Sequence, residues 1–291
     1  MTKPSHLSDL IPSELGPGGP GPEHSGPARQ KWFRAHLEQQ PPAGLSDDEV
    51  EAHFVGMPEH YWQRVTEPDL RWGIETVHGF FAQISAPNVP PSLPFVSWRQ
   101  SPGQDHTRVM LCTWDRQGLL AKAAAAFSAV RLNILQADVY TRLDNVVLDT
   151  FTITEFDGAG PARPARLEEM TFLLEGALSE PPRFASVWAC SRHRFLAPPS
   201  LQPAEITFDN DASASGTLIR INAPDRLGLL YDILETLAQK GLIVNSARIE
   251  TRLDHAHDVI QVTDALGRKL SEPGRLASLR CDLEAALRLT E

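Results

Sequence analysis

The apolar positions of this chain change period several times, and each change marks an element. Between residues 70 and 84, Leu70, Ile74, Val77, Phe81 and Ile84 recur at i, i+4, i+7, i+11 and i+14. That spacing lays one apolar stripe along a helix of about four turns. Thr66-Glu67-Pro68-Asp69 supplies its start, since proline is tolerated in a first turn. Upstream, Ser46-Asp47-Asp48-Glu49 has the S-x-x-E form of a capping box ahead of Val50, Phe54 and Val55. Further along, apolar and polar residues alternate over Thr107–Thr113 and again over Thr217–Ala223, as on half-buried strands. A helical period follows each run: Leu119, Leu120, Ala123, Phe127 and Val130 after the first, Leu229, Leu230, Ile233, Leu234 and Leu237 after the second. Leu132–Tyr140 and Val146–Thr154 then predict a hairpin about Asp144-Asn145. A last helix carries Leu167, Met170, Leu174 and Leu178, mirrored by Leu276, Leu279, Leu283 and Leu287.

This mirroring is a duplication. A shift of 110 residues lays Asp115-Arg116-Gln117-Gly118-Leu119-Leu120 on Asp225-Arg226-Leu227-Gly228-Leu229-Leu230, with five identities in six. The same shift superposes Ala137 on Ala247 and Thr141-Arg142-Leu143-Asp144 on Thr251-Arg252-Leu253-Asp254. After a single deletion the shift becomes 109, and Asp149 then falls on Asp258 and Gly158 on Gly267. A period this long is a duplicated domain, not a solenoid repeat. Each copy reads β-α-β-β-α, one strand short of a split βαβ sandwich. The missing strand is expected ahead of the unit: Phe95-Val96-Ser97-Trp98 lies 110 residues before Glu205-Ile206-Thr207-Phe208, with Val96 over Ile206.

Composition adds the joints and removes whole classes of partner. The chain has 24 prolines in 291 residues, above the usual share of roughly 5%. Their clusters predict a disordered leader at 1–29, a helical segment at 30–86, a first copy at 94–180, a bridge at 181–203 and a second copy at 204–291. The short helices of the lead-in need a partner surface, and the neighbouring copy is the expected one. A net charge of −10 argues against nucleic acid and against anionic lipid. No apolar run approaches the roughly 18 residues of a membrane span, and no apolar h-region follows Lys3. Cys112, Cys190 and Cys281 are far apart, which fits a reducing, cytoplasmic setting without disulfides.

These residues resemble a known family. D-R-x-G-L-L between a first strand and helix, followed by L-N-I-L-Q-A (132–137) or L-I-V-N-S-A (242–247), resembles the ACT domain. The segments E-I-T-F-D-N (205–210), A-P-D-R-L-G-L-L-Y-D (223–232) and N-S-A-R-I-E-T (245–251) resemble the C-terminal tandem ACT region of bacterial protein-PII uridylyltransferases. Residues 57–78 are similar to the segment that precedes it. The resemblance implies an α+β fold of two ferredoxin-like βαββαβ-type domains behind a helical segment. It implies a regulatory protein of nitrogen metabolism that senses an amino acid, glutamine first, and acts with a PII-type protein or a catalytic partner. A homodimer through ACT sheets is a further route it offers. Full-length members of that family also carry a nucleotidyltransferase domain and an HD phosphohydrolase domain. Neither signature is present, for the chain contains no Gly-Ser dipeptide. Asp209-Asn210-Asp211 reads as a turn, and His257-Asp258 lacks the spaced ligands of a metal site. The expectation is therefore a protein that is not an enzyme and holds no metal or cofactor.

The loop from first strand to first helix is the expected ligand site. Helix-start N–H groups lack internal partners and sit at the positive end of the dipole, so a carboxylate suits them. Gly118 and Gly228 allow close approach, with Leu119 and Leu229 opening the helices behind them. Asp115 and Asp225 could accept from an ammonium group. The same residues would equally serve as cap and turn residues. Arg116 and Arg226 could steer a carboxylate or simply be solvated. By the resemblance, Asn133 presents an amide to the ligand. Copy two has Ile243 there and Asn245 two residues on, a step that keeps the strand face. A rival reading is an ACT interaction module without any ligand, acting on a catalytic partner in trans.

Overall fold

A computed structural model describes residues 25–156, 160–178, 204–213, 215–252 and 255–288. The expected bridge and most of the expected leader lie outside these residues, including Cys190 and the basic positions Arg183, Arg192 and Arg194. The chain opens with α1 (Gly26–Gln39), α2 (Asp47–Gly56), α3 (Glu59–Trp62) and α4 (Glu67–Ile84). α1 includes residues 26–29, which the proline pattern assigns to the leader. Pro27 occupies its first turn, where no N–H is required, and Arg29, Phe33 and Leu37 are buried. Arg29 explains the anchoring: its guanidinium donates to Trp62 O at 2.7 Å and Val65 O at 2.7 Å.

The capping box forms as the sequence indicates, with Ser46 N donating to Glu49 Oε2 at 2.8 Å and Glu49 N to Ser46 Oγ at 3.3 Å. In α4 the stripe is rotated at its end. Leu70, Ile74 and Val77 are buried, but Phe80 is fully buried and Phe81 is 36% exposed. Likewise Phe54 is buried while Val55 faces solvent. Met57, Tyr61 and Trp62 are core residues.

Both copies then follow the same order. The first is β1 (Phe95–Arg99), β2 (Thr107–Trp114), α5 (Leu119–Ala129), β3 (Leu132–Asp138), β4 (Val146–Glu155) and α6 (Pro164–Leu178). The second is β5 (Glu205–Asp209), β6 (Thr217–Pro224), α7 (Leu229–Gln239), β7 (Ile243–Arg252), β8 (His255–Thr263) and α8 (Pro273–Leu287). The leading strand completes each sheet, with Val96 opposite Leu111 and Ile206 opposite Ile221.

The two sheets merge into one eight-stranded antiparallel sheet of order β1-β2-β4-β3-β7-β8-β6-β5. The join is short: Gln136 pairs Glu250, Ala137 pairs Ile249 and Asp138 pairs Arg248. The 110-residue shift maps Asp138 onto Arg248, so a residue pairs with its own counterpart and a pseudo-two-fold axis passes through that pair. α5 to α8 cover one face, and their apolar residues form one continuous core with the inner strand residues of both copies.

The other face distinguishes the copies. In copy one it shows Met110, Cys112, Val146 and Leu148, which pack with Phe33, Phe54, Trp62 and Phe80 of the lead-in. β2 is therefore buried on both faces, whereas its alternation had predicted one. In copy two the counterparts of Met110, Cys112 and Leu148 are Arg220, Asn222 and His257, and the alternation holds. Ion pairs pin the lead-in at its rim, Arg64 to Asp138 at 3.0 Å and Arg108 to Asp69.

Candidate functional site

The pseudo-two-fold axis brings each first-strand loop against the other copy. Residues 115–121 face the end of α7 and the start of β7, where Leu234, Ala238, Gly241, Ile243 and Val244 close the far wall. Residues 225–230 face Ser128, Leu132, Asn133 and Ile134 of copy one in the same way. Two related clefts result, and they differ sharply in size: about 250 Å³ at the Asp115 loop and about 20 Å³ at the Asp225 loop.

The chain starts both loops with the same devices. Gly118 and Gly228 are helix N-caps with φ of 72° and 82°, a left-handed backbone that favours glycine. A Cβ at Gly118 would meet nothing within 4 Å, so the backbone there borders open space. In α5, Leu119 N donates to Arg116 O and Lys122 N to Gly118 O, while no side chain caps the helix. The N–H groups of Leu120 and Ala121 are at the start of the helix, where no helical partner is available, and both residues line the larger cleft.

Arg116 and Arg226 line the two clefts and are held by the protein's own oxygens, not left to solvent. Arg116 donates to Leu178 O at 2.8 Å, Ser92 O at 3.2 Å and Thr113 Oγ1 at 3.0 Å. Arg226 donates to Ala286 O at 3.0 Å and pairs with Asp232 at 2.6 Å. Each guanidinium thus ties its loop to the closing carbonyls of the last helix in its copy, a favourable place for a cation.

Asn133 does not face Asp115. It reaches across the interface, and its Nδ2 donates to Asp225 Oδ2 at 3.2 Å. Thr251 Oγ1 donates to the same oxygen at 3.1 Å. The chain's own amide thereby fills the smaller cleft. At the related place by the larger cleft stands Ile243, 43% exposed. Asn245 lines neither cleft. β7 bulges between Val244 and Ser246, so the two-residue step from Ile243 does not preserve the strand face. Its Oδ1 is buried without a hydrogen-bond partner.

The sequence reading missed two acids. Asp149 on β4 lines the larger cleft and Asp258 on β8 the smaller. Asp149 is 1% exposed; its Oδ1 accepts from Tyr140 N at 3.2 Å and its Oδ2 has no partner. Burial raises its carboxyl well above the usual range, and the Asp115 charge adds to the shift. Asp115 itself is pushed up by partial desolvation, offset by the Arg116 N–H and guanidinium. Burial pushes Asp258 up to about 8, with the charge of Asp225 adding to it. The available signal was their alignment at the 109-residue shift inside otherwise apolar strand runs. An acid in such a run, kept in both copies, needs a partner or a proton.

Other acids and histidines carry less. Asp209 Oδ1 accepts from Asp211 N and Ala212 N, both at 2.9 Å, as a turn residue does. Among the described residues no group of three or more His, Cys, Asp or Glu could hold a metal ion. No helix among them is long and apolar enough to cross a membrane.

Comparison with known proteins bears on the family of the fold. Residues 205–290 match the family described as ACR9-like, ACT-like domain. The second copy is an ACT-like domain, and the internal repeat extends the same architecture to the first. Over 197 residues the chain is 32% identical to the bifunctional uridylyltransferase/uridylyl-removing enzyme of Caulobacter vibrioides, covering 65% of this chain and 20% of that one. The enzyme of the same name from Gluconobacter oxydans is 35% identical over 61% of this chain and 19% of its own. That from Ectopseudomonas mendocina is 29% identical over 81% and 26%. The chain thus spans about a fifth to a quarter of these relatives, and the similarity lies in their C-terminal regulatory region. A solved aspartate kinase from Synechocystis superposes on 72% of this chain and 32% of its own at 15% identity, with a TM-score of 0.33, too distant to carry an argument.

Proposed function

We infer that the chain is a non-catalytic amino-acid sensor, a regulatory protein whose ligand sits in the larger cleft between its two ACT-type copies. One observation carries this reading: the Asp115 cleft is open where its pseudo-symmetric twin is shut. At about 250 Å³ it lies just under the roughly 300–1,000 Å³ of ligand pockets in general, a size for a small molecule. It combines the helix-start N–H groups of Leu120 and Ala121, which no side chain caps, with the carboxyl groups of Asp115 and Asp149. The first suits a carboxylate and the second an ammonium.

A ligand there would touch both copies, and among the described residues three pairs between β3 and β7 join their sheets. Binding would shift the population between two packings of the copies, in proportion to its differential affinity for them. The resemblance to uridylyltransferases makes glutamine the first ligand to test, and a PII-type protein or a catalytic partner the first recipient of the signal. Calorimetric titration of the folded chain with a panel of amino acids tests the reading. A saturable heat for at least one of them is expected. Silence across the panel would end the sensor reading and leave a ligand-free interaction module.

A further inference from the structure

The walls of the larger cleft indicate which amino acid it takes. Apart from the polar groups they are aliphatic: Leu120, Val139 and Val147 from copy one, Leu234, Ile243 and Val244 from copy two. The polar lining residues are few and mostly committed. Arg116 is spent on Leu178 O, Ser92 O and Thr113. Gln117 bridges the mouth, its Nε2 reaching Ala238 O at 3.5 Å. Thr141, the counterpart of the Thr251 that serves Asp225, contributes a single hydroxyl.

Asp149 leaves a buried oxygen unpaired beside this cleft, as its counterpart Asp258 does beside the smaller one. It is 1% exposed, it lines the cleft, and its Oδ2 has no partner. In the twin cleft the loop carboxylate of Asp225 receives the Asn133 amide. In this one the corresponding position holds Ile243, so the carboxyl groups of Asp115 and Asp149 receive no amide from that position. A cation of the ligand is what the two acids lack, and an aliphatic tail is what the remaining walls accept.

Resting on the sensor reading above, we propose that the cleft binds an aliphatic α-amino acid of the leucine, isoleucine or valine type in preference to glutamine. The ammonium sits between Asp115 and Asp149, the carboxylate meets the N–H groups of Leu120 and Ala121, and the tail packs on Val147 and Val244. A side-chain amide in the same place would be buried with no matched donor and acceptor, which disfavours it by about tenfold or more.

Titration calorimetry of the full chain with leucine, isoleucine, valine, glutamine and N-acetyl-leucine tests this. The expected result is an aliphatic amino acid binding about tenfold or more tighter than glutamine, with N-acetyl-leucine silent because it lacks the cation. Asp149→Asn is expected to weaken that binding about tenfold or more while its melting curve shows a folded protein. Val147→Thr, which adds a hydroxyl to the wall, is expected to narrow the gap between leucine and glutamine. Glutamine binding as tightly as leucine, or unchanged affinity in Asp149→Asn, would overturn the preference and leave the sensor reading standing. Silence for every amino acid would overturn both.

Discussion

At the scale of the residue, the buried acids make the sharpest prediction. Asp258 is 2% exposed, and burial holds its carboxyl at about 8. In the unfolded chain the same group titrates near 3.9. Between these values the native state keeps a proton that the unfolded state has released. Stability from this group is therefore fully present below about pH 4 and is lost as pH rises towards 8. Asp258→Asn keeps the shape and removes the titration. The variant and the parent are expected to melt close together near pH 4. The variant should then gain steadily over the parent up to pH 8. Melting temperatures at pH 4, 6 and 8 check this, and a gap that does not change with pH would show that Asp258 holds no such proton. The residue was legible only in part. Its match to Asp149 can be read from the repeat, but its burial depends on helices that reach the strand from distant parts of the chain. The arginines show a related limit. Arg116 and Arg226 read as either ligand-steering or solvated groups in a loop motif, and the sequence does not show that their partners include Leu178 O and Ala286 O, about sixty residues away.

At the scale of the element, local signals did best where the physics is local. The Ser46–Glu49 box depends on four consecutive residues, and it forms as written. Ser46→Ala is expected to cost about 1 kcal/mol in a urea titration, with Ser46→Thr costing less. The turn at Asp209 is local in the same sense. Failures occur where a third layer intervenes. β2 alternates like a half-buried strand, but the lead-in helices bury Met110 and Cys112 as well. The difference between copies was present in the letters, Met110 and Cys112 against Arg220 and Asn222. Its meaning waited on knowing that one face of one half-sheet receives four helices. Asn245 failed through a single β-bulge, a one-residue irregularity that reverses which face a side chain takes. The leading strands succeeded because Val96 and Ile206 keep the repeat's register beyond its strongest motif.

At the scale of the whole molecule, duplication supplies two clefts and divergence leaves one open. The axis through Asp138 and Arg248 relates the two places, and the side chains that line them differ. Val139 faces Ile249 in this comparison, Val147 faces Ala256, and Ile243 faces Asn133. The amide of Asn133 is the decisive change, because it hydrogen-bonds the loop carboxylate of Asp225 and occupies the space beside it. About 20 Å³ is left, enough for roughly one water molecule and too little for an amino acid. The full chain is therefore expected to bind one ligand, not two. Asp115→Asn should weaken binding about tenfold, since it removes a charge that faces the ligand's ammonium. Asp225→Asn should leave the affinity within about twofold, since that carboxylate already has its partners. Calorimetric stoichiometry reads the first expectation and the two variants read the second. A stoichiometry of two, with both variants losing one site each, would mean that the Asn133–Asp225 contact opens for ligand. The asymmetry would then be a property of the empty protein alone.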